Sequence, residues 1–70
     1  MIVCHLSTLL GARRMTQSRL AALTGVHRDT IRKLYYNSWT SIRRETLDRL
    51  CTVLQVSVGE LLEWREEQRS

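Results

Sequence analysis

Apolar residues recur along this chain at three- and four-residue intervals, broken by short polar or glycine-bearing stretches. That spacing puts them on one side of a helix rather than on alternating faces of a strand. It predicts five short helices. The first runs from about Val3 to Arg13, with Leu6, Leu9 and Leu10 on one face. Gly11 weakens its end by about 1 kcal/mol relative to alanine. The second starts at Gln17 with Thr16 as N-cap and is expected to bury Leu20, Ala21 and Leu23. The third spans Arg28 to Tyr36. Val26, Ile31 and Leu34 face inward there, and Arg28, Asp29, Arg32 and Lys33 face out. A loop from Asn37 to Ser41 follows. The fourth helix runs from Ile42 or Arg43 to Leu54, with Leu47, Leu50, Cys51 and Leu54 at core spacing. Ser57 caps the fifth, Glu60 completes a capping box, and Leu61, Leu62 and Trp64 form its apolar side. Residues 66–70 are expected to fray. The expected architecture is all-α: one compact five-helix domain over residues 1–70, with no linker, repeat or low-complexity segment.

The second and third helices, from about Gln17 to Tyr36, have the intervals of a helix-turn-helix. A small residue at Ala21 lets the second helix of the pair cross closely. Gly25, four positions on, supplies the positive φ that a tight helix C-terminus needs. Ile31 and Leu34 then lie one turn apart and point into the core. Such a pair can lay its second helix in the major groove of DNA. The same spacing also describes a plain αα-hairpin that touches no nucleic acid.

Charge favours the first alternative. From Arg13 to Arg49 there are nine basic residues against three acids, whereas the segment from Ser57 to Ser70 is net acidic. The chain carries +4 overall, with a pI near 9.8. A basic middle centred on two paired helices is the electrostatic footprint expected for DNA. Other chemistry is poorly represented. Cys4 and Cys51 share no metal-ligand spacing with each other or with His5 and His27, so they read as buried free thiols and no metal is expected. No Ser/His/Asp or Cys/His set, phosphate loop or carboxylate pair marks a catalytic centre, and neither an enzyme nor a cofactor is expected. There is no run of eighteen apolar residues, and Met1 to Leu10 lacks the basic start and small-residue cleavage site of a signal peptide. The expected setting is therefore cytoplasmic and nucleoid-associated, without membrane or small-molecule ligand.

The segment Met15-Thr16-Gln17-Ser18-Arg19-Leu20-Ala21-Ala22-Leu23-Thr24-Gly25-Val26 resembles the second helix and turn of phage-repressor-like DNA-binding domains, the lambda repressor, Cro and Xre group. Glu45 to Cys51 and Val56 to Trp64 resemble that family's fourth and fifth helices, and the likeness is closest to its small stand-alone Xre-like regulators. The resemblance implies a five-helix fold, sequence-specific operator binding and two-fold dimers on DNA. It assigns base reading to Arg28, Asp29, Thr30, Arg32 and Lys33, with Arg28 foremost because a guanidinium can donate twice to guanine. Asp29 either accepts from a cytosine or complements its own helix and pairs with Arg32 or Lys33. Backbone contacts fall to Gln17, His27, Tyr36, Asn37, Ser38, Arg43 and Arg44.

Two departures stand out. His27 replaces the serine common at the N-cap of the third helix. Tyr35-Tyr36-Asn37 replaces the familiar Glu-Asn-Gly ending. Trp39 and one tyrosine either cover the core under the loop or reach outward, Tyr36 to a phosphate and Trp39 to a dimer contact. Trp64 is expected to pack its helix against the first, the alternative being a partner site. The resulting expectation is a transcriptional regulator, a repressor, bound to operator double-stranded DNA as a homodimer. The rival is a protein-interaction module, antitoxin-like or polymerase-binding, with weak DNA contact. It calls for an exposed apolar patch of Tyr35, Trp39 and Trp64.

Overall fold

The computed structural model describes residues 1–66. Its element order is β1 (Ile2–Cys4), α1 (Leu6–Arg13), α2 (Gln17–Thr24), α3 (Arg28–Tyr35), α4 (Arg44–Leu54), α5 (Val58–Leu61) and β2 (Leu62–Trp64). All five expected helices are present, but the fold is not strictly all-α. The two ends of the chain pair as an antiparallel sheet with Ile2 opposite Trp64, Val3 opposite Glu63 and Cys4 opposite Leu62. The first helix therefore begins at Leu6, not Val3. The last is a single turn rather than one continuing to Trp64. The physical reason is long-range pairing. The His5 amide donates to the Leu61 carbonyl at 2.8 Å, and Leu62 turns extended (φ −119°, ψ 135°). Trp64 consequently stands 68 % exposed on the sheet instead of packing on α1. The expected fraying at 66–70 lies, beyond Glu66, outside the described residues.

The core joins both regions. Cys4, Leu6, Leu10, Leu20, Val26, Ile31, Leu34, Leu50, Leu54 and Leu61 are buried together, and Leu47 and Cys51 are half-buried against them. Burial pushes both thiols up; for Cys51, the Asp48 and Glu60 carboxylates add to the effect. Leu23 is not among the core residues, being 45 % exposed. Thr24 takes the place expected of it. Its hydroxyl donates to the Leu20 carbonyl at 2.7 Å and accepts from the Val26 amide at 3.2 Å, so the buried oxygen is satisfied. Arg13 donates to the Leu54 carbonyl at 2.8 Å, tying α1 to the C-terminus of α4.

Two helix starts, those of α2 and α5, are capped as the residue types predict. Thr16 accepts from the Arg19 amide at 3.0 Å. Ser57 and Glu60 form a reciprocal capping box, with the Glu60 amide donating to Ser57 Oγ and the Ser57 amide to Glu60 Oε1.

Candidate nucleic-acid interface

Gly25 closes α2 with φ 73°, its amide donating to the Ala21 carbonyl at 2.9 Å. A side chain with a β-carbon is strained at that φ. Two residues later His27, in extended backbone, accepts the Asp29 amide on Nδ1 at 3.2 Å and so starts α3. The histidine that replaces serine does cap this helix, through a ring nitrogen instead of a hydroxyl. Ile31 and Leu34 are fully buried, which anchors one side of α3 to the core and leaves Arg28, Arg32 and Lys33 exposed on the other.

Asp29 organises that outer face. One carboxylate oxygen bonds the Arg32 guanidinium and the other lies 3.3 Å from Lys33 Nζ. These donors hold its carboxyl below the usual carboxylate range, and Asp29 in turn raises the Arg32 guanidinium. Asp29 thus takes the pairing role that was one of its two expected alternatives. Arg28 makes no hydrogen bond or ion pair among the described residues, so its guanidinium remains available as a two-pronged donor.

Other elements bring further expected residues to α3. Gln17 and Ser18, at the start of α2, share a shallow cleft with His27, Arg28, Asp29 and Arg32. Arg43, Thr46 and Arg49 from the α4 side share another with Gly25, Val26, His27 and Thr30. Thr30 and Lys33 border a third beside Trp39, Thr40, Ser41 and Arg43. Thr30 and Arg43 thus border both of the last two clefts.

Not every expected residue joins them. Arg44 borders none of these three clefts; it lines a groove between α4 and α5 that Arg43 also borders, with Leu47, Asp48, Cys51 and Val58. The Asn37 amide is engaged inside the protein. Its Oδ1 accepts the Cys4 amide at 2.7 Å and its Nδ2 donates to the Cys4 carbonyl at 3.0 Å, with Asn37 itself at φ 56°. Ser38 reaches back to the Lys33 carbonyl at 3.5 Å. Tyr36 is exposed and stacks edge-on against Tyr35, whereas Tyr35 and Trp39 pack half-buried on the core. Arg49, Thr46 and Ser18 join this surface without having been expected there. Arg43, Thr46 and Arg49 stand three residues apart, a spacing that places them along one helix face and could have found the last two.

Residues 5–67 match the family model for the Cro/C1-type helix-turn-helix DNA-binding domain. Among solved structures, the chain is similar to the "crystal structure of a putative DNA-binding protein from Bacteroides fragilis". The TM-score is 0.76 at 21 % identity, covering 90 % of this chain and 100 % of that one. At that identity the likeness speaks to the fold alone. A search of curated proteins finds no match.

Proposed function

The chain belongs to the Cro/C1-type helix-turn-helix DNA-binding family, and from that premise we propose that it is a repressor that binds operator DNA as a homodimer. The observation that carries this reading is the outer face of α3. Arg28, Arg32 and Lys33 project from a helix whose other side is locked down by Ile31 and Leu34, with Gln17 and Arg43 beside it. In the major groove, Arg28 is the base reader, donating twice to a guanine edge, and Thr30 meets a thymine methyl. Arg32 and Lys33, steadied by Asp29, contribute charge and further donors. Gln17 at the α2 N-terminus, His27, Tyr36, Arg43 and Arg49 meet phosphates and fix the register.

The rival interaction module is less well supported, because Tyr35 and Trp39 are half-buried and the apolar patch it called for is reduced to Trp64 and its sheet neighbours. The deciding experiment selects bound sequences from a random duplex pool and then titrates the selected site against salt. A two-fold motif with half-sites about 10 base pairs apart is expected. The logarithm of affinity should fall by about 0.9 per neutralised phosphate for each unit of log salt. No enriched motif together with a salt slope near zero would remove the DNA reading.

A further inference from the structure

The basic groups around α3 are held in two different ways. Arg28, Arg43 and Arg49 make no ion pair among the described residues. Arg32 and Lys33 share one anion. Asp29 Oδ1 accepts from Arg32 Nη2, and Asp29 Oδ2 lies 3.3 Å from Lys33 Nζ. The two cations open onto different clefts. Arg32 borders the one with Gln17 and Arg28, and Lys33 the one with Trp39 and Arg43. A single carboxylate therefore governs both flanks of the outer face of α3. Exposed pairs of this kind add little to stability, and His27 already caps the start of the helix. The main consequence of Asp29 falls on what its two cations can bind.

We propose, on the premise that the chain binds operator DNA, that Asp29 is a positioning residue that sets the ratio of specific to non-specific affinity. It does so by keeping Arg32 and Lys33 for base edges and away from phosphates. Two cations and one carboxylate leave the trio with a net charge of +1. A phosphate that takes Arg32 or Lys33 must displace the carboxylate. It exchanges one anion for another, and the released carboxylate then faces the polyanion. A base edge asks for no such exchange. Asp29 occupies one of the five guanidinium N–H groups of Arg32 and one of the three ammonium N–H groups of Lys33. The others stay free to donate to guanine O6 and N7, on side chains whose rotation the carboxylate restricts. Arg43 and Arg49 carry no such restraint and can follow a phosphate wherever the duplex offers one.

The test measures affinity of the full chain for the selected full-site duplex and for a random duplex, across a salt series. The parent is compared with Asp29→Asn, Asp29→Glu and Asp48→Asn. Asparagine at position 29 keeps the size of the side chain and the amide that bonds His27. Asp48 lines the groove toward α5 and borders none of the clefts around α3, so its replacement makes the same charge change elsewhere. Asp29→Asn frees two cations. At about 0.1 M salt, each phosphate so gained raises affinity about eightfold and steepens the salt slope by about 0.9. Random duplex should show at least one such step and the selected site less than about half of it on the logarithmic scale, so the ratio falls. Asp29→Glu keeps the carboxylate and should hold the ratio within about twofold of the parent's. Asp48→Asn should move both affinities alike. Arg32→Ala should cost more on the selected duplex than on the random one in the parent background, and the same on both in the Asp29→Asn background. An Asp29→Asn ratio equal to the parent's, or an equal fall in Asp48→Asn, overturns this role and leaves the DNA reading intact. A parent that binds neither duplex overturns the DNA reading and this role with it.

Discussion

Between Thr16 and Asp29, the bonds that set the helix-turn-helix close within four residues: Arg19 to Thr16, Thr24 to Leu20, Gly25 to Ala21, Val26 to Thr24 and Asp29 to His27. The terminal sheet is held across the length of the chain. Met1 meets Arg65, His5 meets Glu63 at 2.6 Å, and Cys4 meets Asn37 thirty-three positions away. The first region is specified by residue type at short spacing. The second forms only once the helices have brought its strands together. The lesson is that the surface read as DNA-binding stands on local structure, and that, beyond the apolar core it shares with the rest of the molecule, one side chain among the described residues, Asn37, ties it to the terminal sheet by hydrogen bonds. That residue lies just past the end of α3 and grips β1.

The comparison can be broken most strongly at Gly25. Valine there would keep a β-branched residue at φ 73°, and the nearest atom to an added Cβ is Arg49 Nη1 at 3.7 Å. The penalty is therefore backbone strain, not collision. Gly25→Val should lose up to about 3 kcal/mol of stability in denaturant titration. A melt equal to the parent's would show that the turn is not the weak point.

Asn37→Ala tests the long-range link. It leaves the buried Cys4 amide and carbonyl without a partner and should cost about 2 kcal/mol. Hydrogen exchange should speed up at Cys4 before it does in α2. Equal acceleration in both regions would mean that the link is not separable from the turn.

On DNA, Arg28→Ala should cost on the order of 1–2 kcal/mol at the selected site and much less on random duplex. The same loss on both would make Arg28 a phosphate contact. Arg43→Ala should weaken binding to all sequences and lower the salt slope by about one. Arg44→Ala, altering a residue that borders none of the clefts around α3, should change the slope less. Equal effects would put both arginines on the DNA side of the molecule.

The smallest effect expected is on pH. The pKa of Asp29 is lowered from its ordinary 3.8 by Arg32 and Lys33, and that of Glu63 from 4.5, chiefly by its hydrogen bond with His5. A depressed folded-state pKa adds stability that is full above the ordinary value and is lost as pH falls through the folded one. Melting temperature should therefore drop below about pH 4. Asp29→Asn and Glu63→Gln should each flatten part of that drop, modestly, because both carboxylates are solvent-screened. An acid limb unchanged in both variants would assign it to other groups.

What residue type alone determined is the set of five helices, the side-chain caps at Thr16 and Ser57, the turn at Gly25 and the exposed basic face of α3. Each depends on interactions three or four residues long, and such interactions are written directly in spacing. The face of α2 was less legible. Leu23 and Thr24 are adjacent, and only the crossing of α3 decides which is buried. Tertiary structure alone decided the ends of the chain. Ile2-Val3-Cys4 and Leu62-Glu63-Trp64 are too short to show a strand's alternation against the helical pattern beside them. Each becomes a strand because the other lies within hydrogen-bonding reach. The same holds for Asn37. Its residue type fits a loop, a phosphate contact or a left-handed helix end equally well, and the Cys4 backbone that claims its amide comes within reach only through the fold.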